Sequence, residues 1–303
     1  MKLLNFFVIL SFIILFHGCE KYNDYIEDYN YTTVYFGSQK PLRTVVARDP
    51  MQIKFGVTLG GIRENTSDHW VRFRIEPDLL NTFSGASNLT LLPQNYYKME
   101  LPSSDSLFVI PKGKTIGDVV LKINKEIFCA DPLALTKTYA LPLRIYETSA
   151  DSILSGNEVT SPKDYSIIVI KYISQESGTY YVKGSETSQS TGLTNSYSYS
   201  ELIKNKTRDL ITLSLNQLEM GGIGSRSVSD KNKLIISLSE NNKVSLASIV
   251  GGMTITDLGS SYDSDKRTFS LKYTYTDSSD TFTVTEEIIQ RSDPESDLRF
   301  EEW

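Results

Sequence analysis

Apolar and polar residues alternate in short runs along most of the chain, and no 3.6-residue period persists over three helical turns. Successive side chains of a strand point to opposite faces, so this period of two predicts β-structure throughout. In the first half the expected strands are TTVYFG (32–37), MQIKFGVTL (51–59), HWVRFRIE (69–76), SLFVIP (106–111), DVVLKIN (118–124), YALPLRIYE (139–147) and YSIIVIKYI (165–173). Seven strands separated by turn signals predict a sandwich. Pro142 cannot donate to a ladder, so its strand is expected to lie at an edge or to carry a bulge.

A polar break, Ser174-Gln175-Glu176-Ser177-Gly178, follows the last apolar strand and marks a domain joint expected to be open to proteases. Beyond it come GTYYVKG, YSYSELI (197–203), LITLSLNQL (210–218), KLIISLSE, KVSLASIV, GGMTITDLGS, TFSLKYTYT and TFTVTEEIIQR, most of them joined by hairpin-length turns. Eight consecutive strands predict an up-and-down meander closed into a small barrel, with a cup able to take a ligand. The expected organisation is all-β: a sandwich over 31–174 and a barrel over 178–303.

Residues 1–18 read differently. Lys2 and the α-amino group precede an apolar run from Leu3 to Phe16, fourteen residues long, short of the roughly 20 that a spanning helix needs. Gly18-Cys19 then suits lipoprotein processing, which predicts a signal peptide over 1–18 and acylation of Cys19. Residues 19–30, the cysteine and the EKYNDYIEDYN that follows it, form an acidic, tyrosine-dotted tether.

Charge and side-chain chemistry then narrow the functions. Lys and Arg number 31 against 37 Asp and Glu, a net charge of −6, and no basic stripe interleaves with aromatics. Nucleic acid is not an expected partner. With Cys19 acylated, Cys129 has no disulfide partner, and it reads as a small buried residue at a strand end. Only His69 remains after processing, so neither a zinc cluster nor a serine triad can be assembled, and no metal or cofactor is expected. Asp263-Ser264-Asp265 and the tip at 277–280 read as solvated hairpin acids, and Gly221-Gly222-Ile223-Gly224 as a flexible turn without a dinucleotide fingerprint.

Several runs resemble a family. Leu92-Pro93 with Tyr96-Tyr97, Ile110-Pro111-Lys112-Gly113, and Tyr139 to Ile145 resemble a domain of unknown function in Bacteroidetes surface lipoproteins, many from polysaccharide-utilisation loci. That resemblance covers 31–172 and implies an immunoglobulin-like sandwich. Gly178-Thr179-Tyr180-Tyr181, Arg291 and the terminal Arg299-Phe300-Glu301-Glu302-Trp303 resemble a lipocalin-like domain. The acidic tether resembles the sorting stretch of lipoproteins on the outer face of the outer membrane. Asp105-Ser106-Leu107 and Asp151-Ser152-Ile153 resemble acceptors for O-glycosylation at Ser106 or Ser152. Neither family brings a catalytic motif to this chain.

The resemblance implies a role at the cell surface: capture of a polysaccharide or oligosaccharide without cleavage, beside an outer-membrane transporter. An adhesin or structural lipoprotein is the first alternative, and a carboxylate-dependent glycan hydrolase the second. In HWVRFRIE the alternation puts Val71, Phe73 and Ile75 on one face and Trp70, Arg72 and Arg74 on the wetter one, equipment for stacking on and gripping a sugar. Tyr197 and Tyr199 alternate with serines and are expected to point the same way as further ligand candidates. Tyr273 and Tyr275 are expected in the core with satisfied hydroxyls, and Phe300 and Trp303 are expected to staple the C-terminus to the barrel.

Overall fold

The computed structural model describes residues 31–102, 106–239, 241–277 and 280–303. The expected signal peptide over 1–18, Cys19, the expected tether over 19–30 and Asp105 lie outside the described residues. The described chain is all-β, a two-sheet sandwich followed by a nearly closed barrel.

One sandwich sheet runs in the order Ser152–Ile153, Thr33–Tyr35, Gln52–Gly60, Ile116–Ile123, Tyr97–Glu100. The other runs Glu301–Glu302, Pro41–Val46, Tyr165–Ile173, Tyr139–Thr148, His69–Ile75, Leu107–Ile110. Between them lies an apolar core in which Phe36, Phe55 and Phe73 surround Phe108, with ring centroids 4.4 to 6.1 Å apart. All seven strands expected from the alternation are present. Pro41–Val46 went unread because it begins with proline and holds Arg43 and Thr44 mid-strand.

The unbroken apolar run of Tyr165–Ile173 has a direct cause. Ile168 and Ile170 face the intersheet core, while Ile167 and Val169 face a second apolar layer built by Leu79 and Leu80 of the helix Asp78–Thr82 and by Trp303. A strand covered on both faces loses its alternation.

Two local expectations are met only in part, for identifiable reasons. Pro142 sits on a central strand, not at an edge. On one side Thr90–Leu91 pairs with Tyr139 and Ala140, and His69–Ile75 takes over only at Leu143, so the proline lies in the gap between two ladders where no donor is needed. The strand does carry a bulge, four residues on, where Tyr146 is extra at the register shift opposite Arg72 and Phe73. Cys129 is buried, but on the helix Lys125–Ala130, whose N-cap Asn124 accepts from Ile127 N.

The barrel staves follow chain order: Gly178–Ser188, Lys206–Ser214, Gln217–Gly221, Lys233–Leu238, Val244–Ser248, Thr254–Asp257, Thr268–Asp277 and Asp280–Gln290. The last stave returns to pair with the first over Tyr180 to Ser188. Between Val244–Ser248 and Thr254–Asp257 no ladder forms, and the single bridge Lys243 to Ser261 spans that seam. The stave expected at YSYSELI is absent: pairing stops at Ser196, and a 3-10 turn covers Leu202–Lys204. LITLSLNQL supplies two staves instead of one, turning between Ser214 and Gln217.

The segment joining sandwich to barrel is covered. Ser174 is 1% exposed and Glu176 8%; Ser174 N donates to Thr212 Oγ1 at 2.9 Å and Ser177 Oγ to Leu210 O at 2.9 Å. The protease-open joint of the sequence reading is therefore closed by barrel atoms. After the last stave the chain leaves the barrel again. Glu301–Glu302 pairs with Pro41–Val46, and the Trp303 indole donates to Ile167 O at 2.7 Å. Phe300 and Trp303 thus staple the C-terminus to the sandwich, not the barrel, because the sandwich offers a free strand edge and an apolar layer.

Candidate functional site

Inside the barrel, inward positions alternate with outward ones and grade from apolar to polar. One end is packed by Tyr180, Leu210, Phe269 and Ile288, all essentially unexposed. The other end is ionic. Arg208 Nη1 lies 3.1 and 3.2 Å from the two carboxylate oxygens of Glu286, and both side chains are shut off from water. Tyr273 and Tyr197 donate to the same carboxylate at 3.0 and 2.9 Å, and Tyr275 donates to Glu186 at 2.8 Å. Burial and the Glu286 charge push the Tyr273 phenol far up, so it stays a neutral donor.

The glycine run closes this end. Ile223 and Gly224 are buried, the Gly224 carbonyl accepts from Arg208 and, at 2.7 Å, from Lys206 Nζ, and Gly224 N donates to Tyr273 Oη at 2.9 Å. Gly222 and Gly224 have φ of +89° and +55°, and a Cβ on Gly224 would stand 2.3 Å from Glu186 Oε2. Gly221-Gly222-Ile223-Gly224 is therefore a packed plug in place of the flexible turn expected, and the barrel is filled by its own side chains. Burial pushes Glu186 up, but donors from Ser225 and Tyr275 outweigh it and hold the carboxyl below its usual range. Burial and the Arg208 charge bring the Lys206 ammonium down to about 8.

Tyr197 and Tyr199 part company. Because the strand ends at Ser196, period-two alternation does not carry through: Tyr197 turns inward to Glu286 under Lys206 Nζ, 4.0 Å from its ring, while Tyr199 is exposed. Tyr197 is structural, and Tyr199 stands apart from the sandwich residues. Tyr273 and Tyr275 are core with satisfied hydroxyls.

On the sandwich, Trp70, Arg72 and Arg74 share the outer face of His69–Ile75. The Arg72 guanidinium lies 5.2 Å from the Trp70 ring centre and Arg74 5.7 Å from that of Tyr146. The bulge exposes Tyr146 and Glu147 in succession, and Glu147 pairs with Arg72 at 2.7 Å. Arg74 and Arg144 both bond Glu76. The outcome is a flat strip of aromatic rings and arginines.

A second feature was invisible in the sequence. Where the sheets part, a cleft of about 360 Å³ is lined by Arg43, Arg48, Lys54, Thr44, Gln52, Glu295, Arg299 and Phe300 among others. A neighbouring hollow of about 310 Å³ shares Arg43 and Phe300. Its floor follows from topology: Thr33–Tyr35 meets Gln52–Gly60 at Thr58, Leu59 and Gly60, leaving the start of the longer strand without a partner on that side among the described residues. Its wall is the returning tail. Phe300 is 60% exposed and faces the Arg43 guanidinium at 5.9 Å. No sequence signal joins residue 43 to residue 300.

A solved Bacteroides ovatus protein of unknown function shares this architecture, with a TM-score of 0.71 at 18% identity over 88% of this chain and 95% of that one. The fold is one that Bacteroides makes. A family model described as "-like, N-terminal domain" matches residues 22–152. An auxiliary nutrient binding protein from Bacteroides thetaiotaomicron matches at 14% identity over 86% of this chain and 95% of that one, with a TM-score of 0.40. No curated protein matches.

His69 and Cys129 form no reactive pair. Ser67 Oγ lies 3.3 Å from His69 Nε2 while Nδ1 is buried without a partner. Burial pushes the Cys129 thiol up to about 11, which keeps it protonated. Among the described residues no cluster of three His, Cys, Asp or Glu could hold a metal. Asp263 instead accepts from the backbone N of Asp265 and Lys266 in its own turn.

Proposed function

We propose that this chain is a non-catalytic glycan-binding protein, anchored by lipid at Cys19 on the outer face of the outer membrane and delivering polysaccharide to an uptake transporter. The observation that carries the reading is the cleft at Phe300. An exposed ring beside Arg43, Thr44 and Gln52 offers one apolar wall and several hydrogen-bonding groups, the combination that holds the two faces of a sugar. The Trp70–Tyr146 strip on the neighbouring strands supplies a second surface of the same chemistry.

The cleft argues for capture over hydrolysis. Cleaving a glycosidic bond ordinarily takes two convergent carboxyl groups, and Glu295, the acid lining this cleft, is tied to Arg48. The adhesin alternative gained its weight from aromatics buried between domains. Trp70 is not buried so, and Phe300 is open.

Affinity electrophoresis of the mature protein across plant, fungal and host polysaccharides tests the reading, with Phe300→Ala and Trp70→Ala beside the parent. Retardation by one polysaccharide without new reducing ends, weakened in Phe300→Ala, is the expected result. Release of oligosaccharides would make the protein an enzyme, and retardation by none would return the adhesin.

A further inference from the structure

The cleft is cationic on an acidic protein. The chain carries −6 overall, yet Arg43, Arg48, Lys54 and Arg299 all line one cleft in which Glu295 is the acid. Arg48 is neutralised by Asp293 at 2.6 Å and by Glu295. Arg43, Lys54 and Arg299 pair with no carboxylate among the described residues; Arg299 spends Nη1 on the Ser296 and Leu298 carbonyls at 3.0 Å.

Arg43 is the telling member. On Pro41–Val46, Leu42 points to the outer apolar layer while Val45 points to the intersheet core. Alternation therefore turns Arg43 toward the gap between the sheets, and it lines both adjoining hollows. Its Nε is buried with no hydrogen-bond partner, and burial pushes the guanidinium below its ordinary value. Holding a charge there is unfavourable unless something completes it.

We infer that the cleft takes a carboxylate-bearing sugar, a uronic acid residue of an acidic polysaccharide, with its carboxylate received by Arg43, Lys54 and Arg299 and its ring lying against Phe300. This rests on the glycan reading above and names its substrate class. A planar guanidinium matches a carboxylate in two parallel bonds. The exposed Phe300 ring and the Thr44 and Gln52 positions add what a bare anion would not use.

Isothermal titration with a galacturonic acid trimer, its methyl ester and a neutral glucan trimer tests the inference. The proteins are the parent, Lys54→Gln, Arg299→Gln and Phe300→Ala, each checked for folding by circular dichroism; the substituted positions are exposed, so the fold should persist. The acid trimer should bind at least about tenfold more tightly than its ester, since an ionised hydrogen bond is worth on the order of tenfold in affinity. Lys54→Gln and Arg299→Gln should each weaken the acid by a similar factor and leave the ester unchanged. Equal binding of acid and ester would overturn the inference. So would a neutral glucan that binds and is lost only in Phe300→Ala, although glycan binding itself would stand. Binding of inorganic sulfate as tightly as the trimer would reduce the site to an anion hole and overturn the sugar. Binding by no oligosaccharide, together with no retardation by any polysaccharide, would remove both readings.

Discussion

Replacing Glu286 by Gln should cost the barrel a large part of its stability. The carboxylate accepts from Arg208 at 3.1 and 3.2 Å, from Tyr273 at 3.0 Å and from Tyr197 at 2.9 Å, with no side-chain area open to water. Removing its charge leaves Arg208 buried, with the Gly224 carbonyl as its nearest acceptor and Lys206 close by. Breaking a buried pair from one side costs about 3–5 kcal/mol, against a total of about 5–15 kcal/mol for a typical domain. The double variant Arg208→Met, Glu286→Met should cost less than the two singles summed, by roughly 2 kcal/mol or more, because it strands no charge. Urea unfolding is the assay, read by near-ultraviolet circular dichroism of the tyrosines. Tryptophan fluorescence would miss it: the chain has two tryptophans, and Trp70 and Trp303 both pack on the sandwich. A cost below about 1 kcal/mol for Glu286→Gln, or strict additivity in the double variant, would refute the picture of a desolvated, mutually dependent pair.

Other outcomes follow from the same geometry. Gly224→Ala should destabilise the barrel by roughly 1–3 kcal/mol, since a Cβ there meets Glu186 at a positive φ; thermal melting checks it. Trp303→Ala should cost about 2 kcal/mol, less than a fully buried indole would, and should expose the tail after Gln290 to proteases while the segment 174–178 stays uncut. Lys206 is depressed to about 8 in the fold, so the unfolded chain binds the extra proton above that pH. Stability should rise between about pH 8 and 10. Lys206→Met should flatten that rise, and above pH 10 the buried tyrosines, held neutral in the fold, should reverse it.

Strands were legible in the sequence wherever one face is buried and the other wet, as in Gln52–Gly60 and His69–Ile75. They blurred where that condition fails. LITLSLNQL alternates with Ile211 and Leu213 on its apolar face, but both are exposed, and the inward positions are Leu210 and, two residues earlier, Arg208. The eight-stave count came out right because one false strand at YSYSELI balanced one hairpin read as a single strand. Of the candidate ligand residues, Trp70, Arg72 and Arg74 were placed on a shared face by alternation alone. The cleft was beyond such reasoning. It depends on which strand edge Thr33–Tyr35 leaves uncovered and on a tail that crosses from one domain to the other, and both are long-range facts.

The returning segment 299–303 makes the proposed binding surface conditional on synthesis of everything up to it. Phe300 and Arg299 wall the cleft, and Glu301–Glu302 covers the outer edge of Pro41–Val46, so neither exists while the barrel is still being made. A nascent sandwich carries a bare strand edge beside an apolar layer that lacks Trp303, the kind of surface that recruits other chains. Chains that stop short would be both incompetent and adhesive. Residues 299–303 thus act as a proofreading mark: the proposed site is assembled only in molecules whose synthesis has passed Trp303.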